Sequence, residues 1–338
     1  MTSTFIDISD AQLGVYQDGN LVRECPGVAH LGKVGVAFGH DALAISRHEP
    51  RELMDKYWAQ LDSVPLAKPH HAFRHHADLA YRQLSMLVEE IAPIGDVYFI
   101  VPSAYRRKEL QLLLGIAKAL ELNVASFIDR SVASIAALEV TTPHAQFIDL
   151  SFHRTCVSQV SITDKVSFIN AQTLERVGKV YLNELALNWI ADSFLDQARF
   201  DPLAHAATEQ ALFDELMTWL ASLRNSEHIN IGLDFHGRRH EVSLSKVDLI
   251  STLKPGIELI ASAIDKTTPT ILSSQFACYP AEVRSVLNAK LTKPLDTIRY
   301  ISTLFSGQES NQDEVRLFRS LAPRASQTLA AVTASDGA

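Results

Sequence analysis

The residue types and spacings that could do chemistry are few in this chain. Asp7 sits in the run FIDIS at residues 5–9, and Asp149 sits in the near-copy FIDLS at residues 147–151. A strand-end carboxylate that appears twice is the strongest repeated feature. His71 and His75, in PHHAFRHHAD, are four apart, so a helix would place both imidazoles on one face as some zinc sites do. No Cys or H-E-x-x-H pattern accompanies them, and a solvated helix start explains the same residues, with a pH-sensitive contact or adventitious metal as the alternative. The G-x-S-x-G elbow of serine hydrolases, the G-x-x-x-x-G-K-S/T phosphate loop and the G-x-G-x-x-G dinucleotide turn are all missing.

Composition excludes further classes. The formal charge is −8, with a pI near 5.9, and the one basic run, Arg106 to Lys108, reads as a solvated helix start. Phosphate neutralisation needs clustered Lys and Arg, so no nucleic-acid partner is expected. No run of eighteen apolar residues occurs, and MTSTFIDISD has acids where a secretory leader would be basic and then apolar. Direct membrane insertion is not expected. Cys25, Cys156 and Cys278 are widely spaced with no C-x-x-C pair, which fits a reducing, cytoplasmic setting.

The elements that must position these residues come in two similar series. TFIDIS, LGVYQ and LVREC read as strands, with Asp18-Gly19 as the hairpin turn. Helical segments follow between residues 50 and 92, then the buried strand DVYFIVP, the amphipathic helix KELQLLLGIAKALEL and the strand NVASFI, a parallel crossover. SVASIAALEV is a helix of small residues. A second meander then begins with QFIDLS, TCVSQVSI and VSFINAQT, followed by helices over 181–198 and 207–224 and a hairpin around His236-Gly237. Residues 246–265 are helical, PTILSS is a strand, and PAEVRSVLNAKL is a helix. The repeat of FIDIS as FIDLS marks two like-built halves.

Three longer stretches carry a resemblance. VYFIVPSAYRRKELQLLLGIAKALELNVASFIDRSVASIAAL, TILSSQFACYPAEVRSVL and NQDEVRLFRSL resemble the connecting, adenosine and closing segments of the seventy-kilodalton heat-shock chaperone nucleotide-binding domain, within the actin-like ATPase superfamily. The resemblance spans about residues 4 to 325, without the chaperone's peptide-binding domain. It implies an α/β, two-lobed actin-like (ribonuclease H-like) fold, each lobe a mixed five-stranded sheet opened by a β-meander and flanked by helices. Lobe I would span 1–142 and lobe II 143–308, with an inserted helical and hairpin subdomain at about 180–262. A closing helix at 309–325 would pack back on lobe I, and 326–338 would be a flexible tail.

The resemblance also says where the chemistry would sit. The family's first phosphate turn, D-L-G-T-T, reads Asp7, Ile8, Ser9, Asp10 and Ala11 here. A carboxylate about 4 Å from a phosphate charge repels it by about 4 kcal/mol at an effective dielectric near 20, roughly a thousandfold in affinity. The second turn, D-L-G-G-G-T, reads Asp149, Leu150, Ser151, Phe152, His153 and Arg154, with all three glycines gone. The catalytic glutamate position falls on Arg130, with Asp129 just before it, and a guanidinium cannot accept a proton from water. Gly178 and Lys179 belong to the same cleft. The adenosine motif's glycine pair falls on Ser274 and Gln275 and its stacking arginine on Cys278, while Met217, Leu220 and Arg224 stand where the family's Glu, Lys and Ser contact purine and ribose, so the resemblance implies that these elements have lost their nucleotide chemistry. Asp7 and Asp149 are either turn acids or water-mediated magnesium ligands.

Three functions follow from this. The first is a non-catalytic pseudo-ATPase with no cofactor, acting as a protein-binding scaffold or regulatory partner, with Phe152 and Arg130 filling the cleft and fixing the angle between lobes. The second is a divergent, magnesium-dependent ATPase or nucleotide switch. The third reuses the cleft for another anionic small ligand, received by Arg130, Arg154 and Arg224. A protein partner is expected by analogy with relatives in bacterial pilus and division machines, and homo-oligomers stay open.

Overall fold

The computed structural model describes residues 3–33, 35–89, 91, 93–305 and 315–324. The opening strand Ser3–Asp7 is buried on both faces, as its apolar run requires: Ile6 packs into one apolar cluster and Phe5 into another. It pairs antiparallel with Leu13–Gln17, which turns into Asn20–Cys25. The turn residues Asp18 and Gly19 both have positive φ, 49° and 73°, as the Asp-Gly pair predicts for a two-residue hairpin. On its other edge Ser3–Asp7 runs parallel to Asp96–Val101, which runs parallel to Asn123–Asp129. The amphipathic helix Arg107–Ala119 connects those two parallel strands.

The same order recurs in the second half. His144–Leu150 pairs antiparallel with Arg154–Ile162, which pairs antiparallel with Val166–Glu175. Its other edge runs parallel to Thr270–Leu272, followed by Ala289–Leu291. Third, second, first, fourth, fifth is the strand order in both sheets. FIDIS and FIDLS therefore open two sheets of like build.

Among the described residues each of these two sheets has six strands rather than the expected five. The sixth strands come from the segment expected as a closing helix. Arg316–Phe318 runs parallel to Asn123–Asp129 in the first sheet, and Ser320–Leu321 pairs antiparallel with Val166–Glu175 in the second. Two sheet edges supply partners for this backbone that local helix formation would otherwise supply, so the segment ties the sheets together instead of packing on the first alone. Arg319, at the crossing, stacks on Phe168 at 4.5 Å to the ring centroid. Residues 309–314 and 325, with the expected tail 326–338, lie outside the described residues.

Two other expectations change. Among the described residues between 50 and 92 the one α-helix is His76–Val88, preceded by a short 3-10 turn at Pro50–Glu52 and a strand at Leu53–Met54. PAEVRSVLNAKL is helical only at Ala281–Ser285, because Asn288 turns the chain at φ 46° into the strand Ala289–Leu291. The inserted region does form helices, Lys179–Ala198, Ala206–Asn225 and Lys246–Ala261, with the hairpin His228–Phe235 and Arg238–Ser245. These pack into one apolar core with Ile148, Leu150 and Val157 of the second sheet. No described helix is long and apolar enough to cross a membrane.

The helix of small residues, Arg130–Ala136, is buried along its whole length. Val132, Ala133, Ile135 and Ala136 pack between Phe5, Tyr98 and Ile100 of the first sheet and Ala145, Phe147 and Val160 of the second. Alanine and serine let two sheets approach one helix closely, and its first residue then points at both opening strands.

Candidate functional site where the two opening strands meet

Asp129 ends its strand and caps the helix Arg130–Ala136. Its Oδ1 accepts from the backbone N–H of Ser131 at 3.0 Å and of Val132 at 3.3 Å, and from the hydroxyls of Ser131 and Ser103 at 2.6 and 2.8 Å. This fixes where the helix begins and so where Arg130 is held. Arg130 Nη1 donates to Asp149 Oδ2 at 2.6 Å, Nε donates to Asp7 Oδ1 at 3.1 Å, and Nη2 reaches the same Asp7 oxygen. One guanidinium thus joins the first strand of one sheet to the first strand of the other.

Neither expectation for Asp7 and Asp149 named this partner. The side chains of Arg130 and Asp149 are each 7% exposed, so the network sits nearly out of water. Burial acts against the guanidinium's charge, but Asp149 and Asp7 overcome it and hold the Arg130 pKa above its ordinary value. Burial pushes the Asp7 carboxyl up while Arg130 pulls it down. Beside the network lies a cavity of about 120 Å³, walled by Glu24, Ser134, Thr292 and Thr297 among others. Asp129 is engaged elsewhere, in the cap and 3.8 Å from Arg319 Nε.

The turns that follow the opening strands bind each other. Asp10 Oδ1 accepts the backbone N–H of Phe152 at 3.1 Å, and the Asp10 carbonyl accepts from Gly27 at 2.7 Å. Burial raises the Asp10 carboxyl, against the lowering effects of the Phe152 N–H and Arg154. Ser9 Oγ and Asp10 Oδ2 are buried without a hydrogen-bond partner. The Phe152 ring packs with Ala11, Val28 and Ala42 of the first half. His153 Nε2 lies 2.9 Å from Asp55 Oδ2.

Gly178 presses on the second turn from its other side. A Cβ there would lie 2.5 Å from Arg154 N, so only glycine fits. Ser151 and Phe152 carbonyls accept the N–H groups of Lys179 and Val180 at 2.8 and 2.9 Å, which occupies the first amides of the helix Lys179–Ala198. Lys179 Nζ donates to Gln275 Oε1 at 3.1 Å.

The residues assigned to purine recognition disperse. Ser274, Gln275 and Cys278 lie in the 3-10 turn Ser274–Cys278, and burial raises the Cys278 thiol. Phe276 and Tyr279 enter the core with Leu216, Leu220 and Leu223. Arg224 Nη1 donates to the Ala277 carbonyl at 2.9 Å, while Met217 faces a separate cavity of about 520 Å³ between the two halves. Arg130, Arg154 and Arg224 therefore do not converge on one anion position: Arg130 is held by two carboxylates and Arg224 by a carbonyl.

That larger cavity has a latch that sequence reading missed. Arg47 pairs with Glu184 and, at 3.3 Å, with Glu209, and its backbone N–H donates to Gln210 Oε1 at 2.8 Å. Nothing in the local run around Arg47 signals partners so distant in sequence. His71 and His75 share no helix face, because His75 is the cap of His76–Val88 and His71 precedes it. His75 Nδ1 lies 3.4 Å from Asp78 and His76 Nδ1 3.0 Å from Asp62. Among the described residues no group of three or more His, Cys, Asp or Glu is placed to hold a metal ion. The three cysteines are unpaired. No family model matches the chain, and no curated protein matches it.

Proposed function

We propose that the chain is a two-lobed relative of the actin-like and heat-shock chaperone ATPases whose nucleotide cleft is closed by its own side chains. It acts as a non-catalytic scaffold or regulatory partner for another protein. The repeated strand order of the two sheets supports the two-lobed reading. The observation that carries the loss of catalysis is Arg130, whose guanidinium binds both Asp7 and Asp149.

The residues present do not fit a magnesium nucleotide. A cation drawn to Asp7 and Asp149 would have to displace a buried guanidinium, and unpairing a buried charge costs about 3–5 kcal/mol, a hundredfold or more in affinity. Phosphates would meet the Asp10 carboxylate and the Phe152 ring, and the amides of Ser151, Phe152, Lys179 and Val180 already donate to carboxylate or carbonyl oxygens. The cavity beside Arg130, about 120 Å³, is well below the roughly 300 Å³ at which small-ligand pockets begin.

Calorimetric titration with ATP and magnesium, paired with a phosphate-release assay, tests this reading. The expected result is no heat of binding up to millimolar ATP and no release above background. Micromolar binding would support a divergent ATPase or nucleotide switch instead.

A further inference from the structure

We propose that the cavity of about 520 Å³ between the two halves binds a zwitterionic molecule with an apolar body, of the size of a large apolar amino acid or a dipeptide. This goes beyond the scaffold reading and does not depend on it. The volume lies within the range of small-ligand sites, roughly 300–1,000 Å³. Its walls come from both halves, so an occupant would touch each.

The body of the ligand follows from the apolar lining. Leu43 and Leu53 face it from the first half, and Phe213 and Met217, one turn apart on Ala206–Asn225, face it from the second. The ends of the ligand follow from the charges. Of the acidic and basic side chains at the wall, His40 is exposed and carries no full charge at neutral pH, Arg47 is paired with Glu184, and Asp55 with His153. Lys179 and Asp214 have no ion-pair partner among the described residues. Lys179 Nζ makes one hydrogen bond, to Gln275, which leaves two of its three N–H groups. Asp214 accepts one bond, from Gln210 at 2.8 Å, which leaves its second oxygen.

One unpaired cation and one unpaired anion on facing helices suit a ligand that carries a carboxylate and an ammonium. Asn183, one turn beyond Lys179 on the same helix face, lines the same wall and adds an amide beside the cation. A polyanion is disfavoured, since Asp214, Asp55 and Glu184 would all oppose it.

The test is calorimetry and thermal shift on the full chain with leucyl-phenylalanine and phenylalanine as probes. N-acetylated and C-amidated forms of the dipeptide are run beside them, with Mg·ATP as a separate arm. The free dipeptide is expected to bind and raise the melting temperature. Blocking either end, or substituting Lys179→Gln or Asp214→Asn, is expected to weaken it at least tenfold, with Phe213→Trp abolishing binding by filling the cavity. A dipeptide that does not bind at millimolar concentration would overturn the proposal. So would doubly blocked dipeptide that binds as well as the free form, or binding that survives Phe213→Trp in a variant that melts as wild type does. Binding of Mg·ATP would count against the non-catalytic reading alone.

Discussion

The two cavities between the halves share a wall residue, Gln12, and are held open or shut by opposite means. The smaller is walled by carboxylates gathered around one guanidinium, and charges so far from water must satisfy each other at hydrogen-bond distance. That demand draws the two opening strands onto Arg130 and leaves about 120 Å³. The larger is walled mainly by apolar side chains and latched at its rim by Arg47, Glu184 and Glu209. Apolar walls ask for no particular partner, so about 520 Å³ can persist beside a closed charged centre. The difference teaches that one region between two sheets can be closed by paired charges on one side and keep room on the other.

The largest expected effect breaks the charged side of this comparison. Arg130→Ala should cost about 3–5 kcal/mol in denaturant unfolding, because it leaves the buried Asp149 and the half-buried Asp7 without their shared cation. Replacing all three, as Asp7→Asn, Arg130→Met and Asp149→Asn together, should recover most of that loss. A cost under about 1 kcal/mol for the single change would mean that the network does not hold the strands together.

Next in size is the wall of the larger cavity. Phe152→Ala should cost about 3 kcal/mol, since the ring is buried among Ala11, Val28 and Ala42, and should enlarge the cavity it lines. A thermal melt unchanged within a degree would contradict that packing role.

A smaller effect has a pH signature. Burial raises the Asp10 carboxyl above its ordinary value of 3.8. The folded chain then holds that proton more tightly than the unfolded chain, so the associated stability is full below the ordinary value and is lost as pH rises through the raised one. Asp10→Asn keeps an acceptor for the Phe152 N–H and removes the charge, so the variant should gain on wild type as pH climbs from about 4 toward neutral. Parallel stability curves for the two chains across that interval would rule out a raised Asp10.

The smallest effect lies at the latch. Arg47→Ala should cost about 1 kcal/mol or less, because Glu184 and Glu209 remain partly in water. It should nonetheless increase hydrogen exchange in Ala206–Asn225, whose Gln210 also holds the Leu43 carbonyl. Unchanged exchange there would show that the rim does not restrain the helix.

Much of the frame was legible because it is local. The Asp18-Gly19 and His236-Gly237 turns carry positive φ at both residues, and the FIDIS and FIDLS strands sit where their apolar alternation and repetition place them. The strands at Arg316–Phe318 and Ser320–Leu321 were not legible, since their hydrogen-bond partners are edges fixed by the rest of the chain. The site divides the same way. The bulk of Phe152 and the guanidinium at Arg130 were legible as residue types at their places in the chain. Their partners did not: Asp7 lies 123 residues from Arg130, and Asp10 lies 142 residues from Phe152. Only docking of the two sheets brings them together.

The central claim is that Arg130 and the turn contacts fix the two halves at one angle, whatever nucleotide is present. Spin labels at Val64 and Val247, both well exposed and on opposite halves, would report that angle by pulsed dipolar spectroscopy in a chain freed of its own cysteines. The account predicts one narrow distance distribution, unchanged by saturating magnesium and ATP. A broad or two-peaked distribution that sharpens or shifts on adding nucleotide would contradict it.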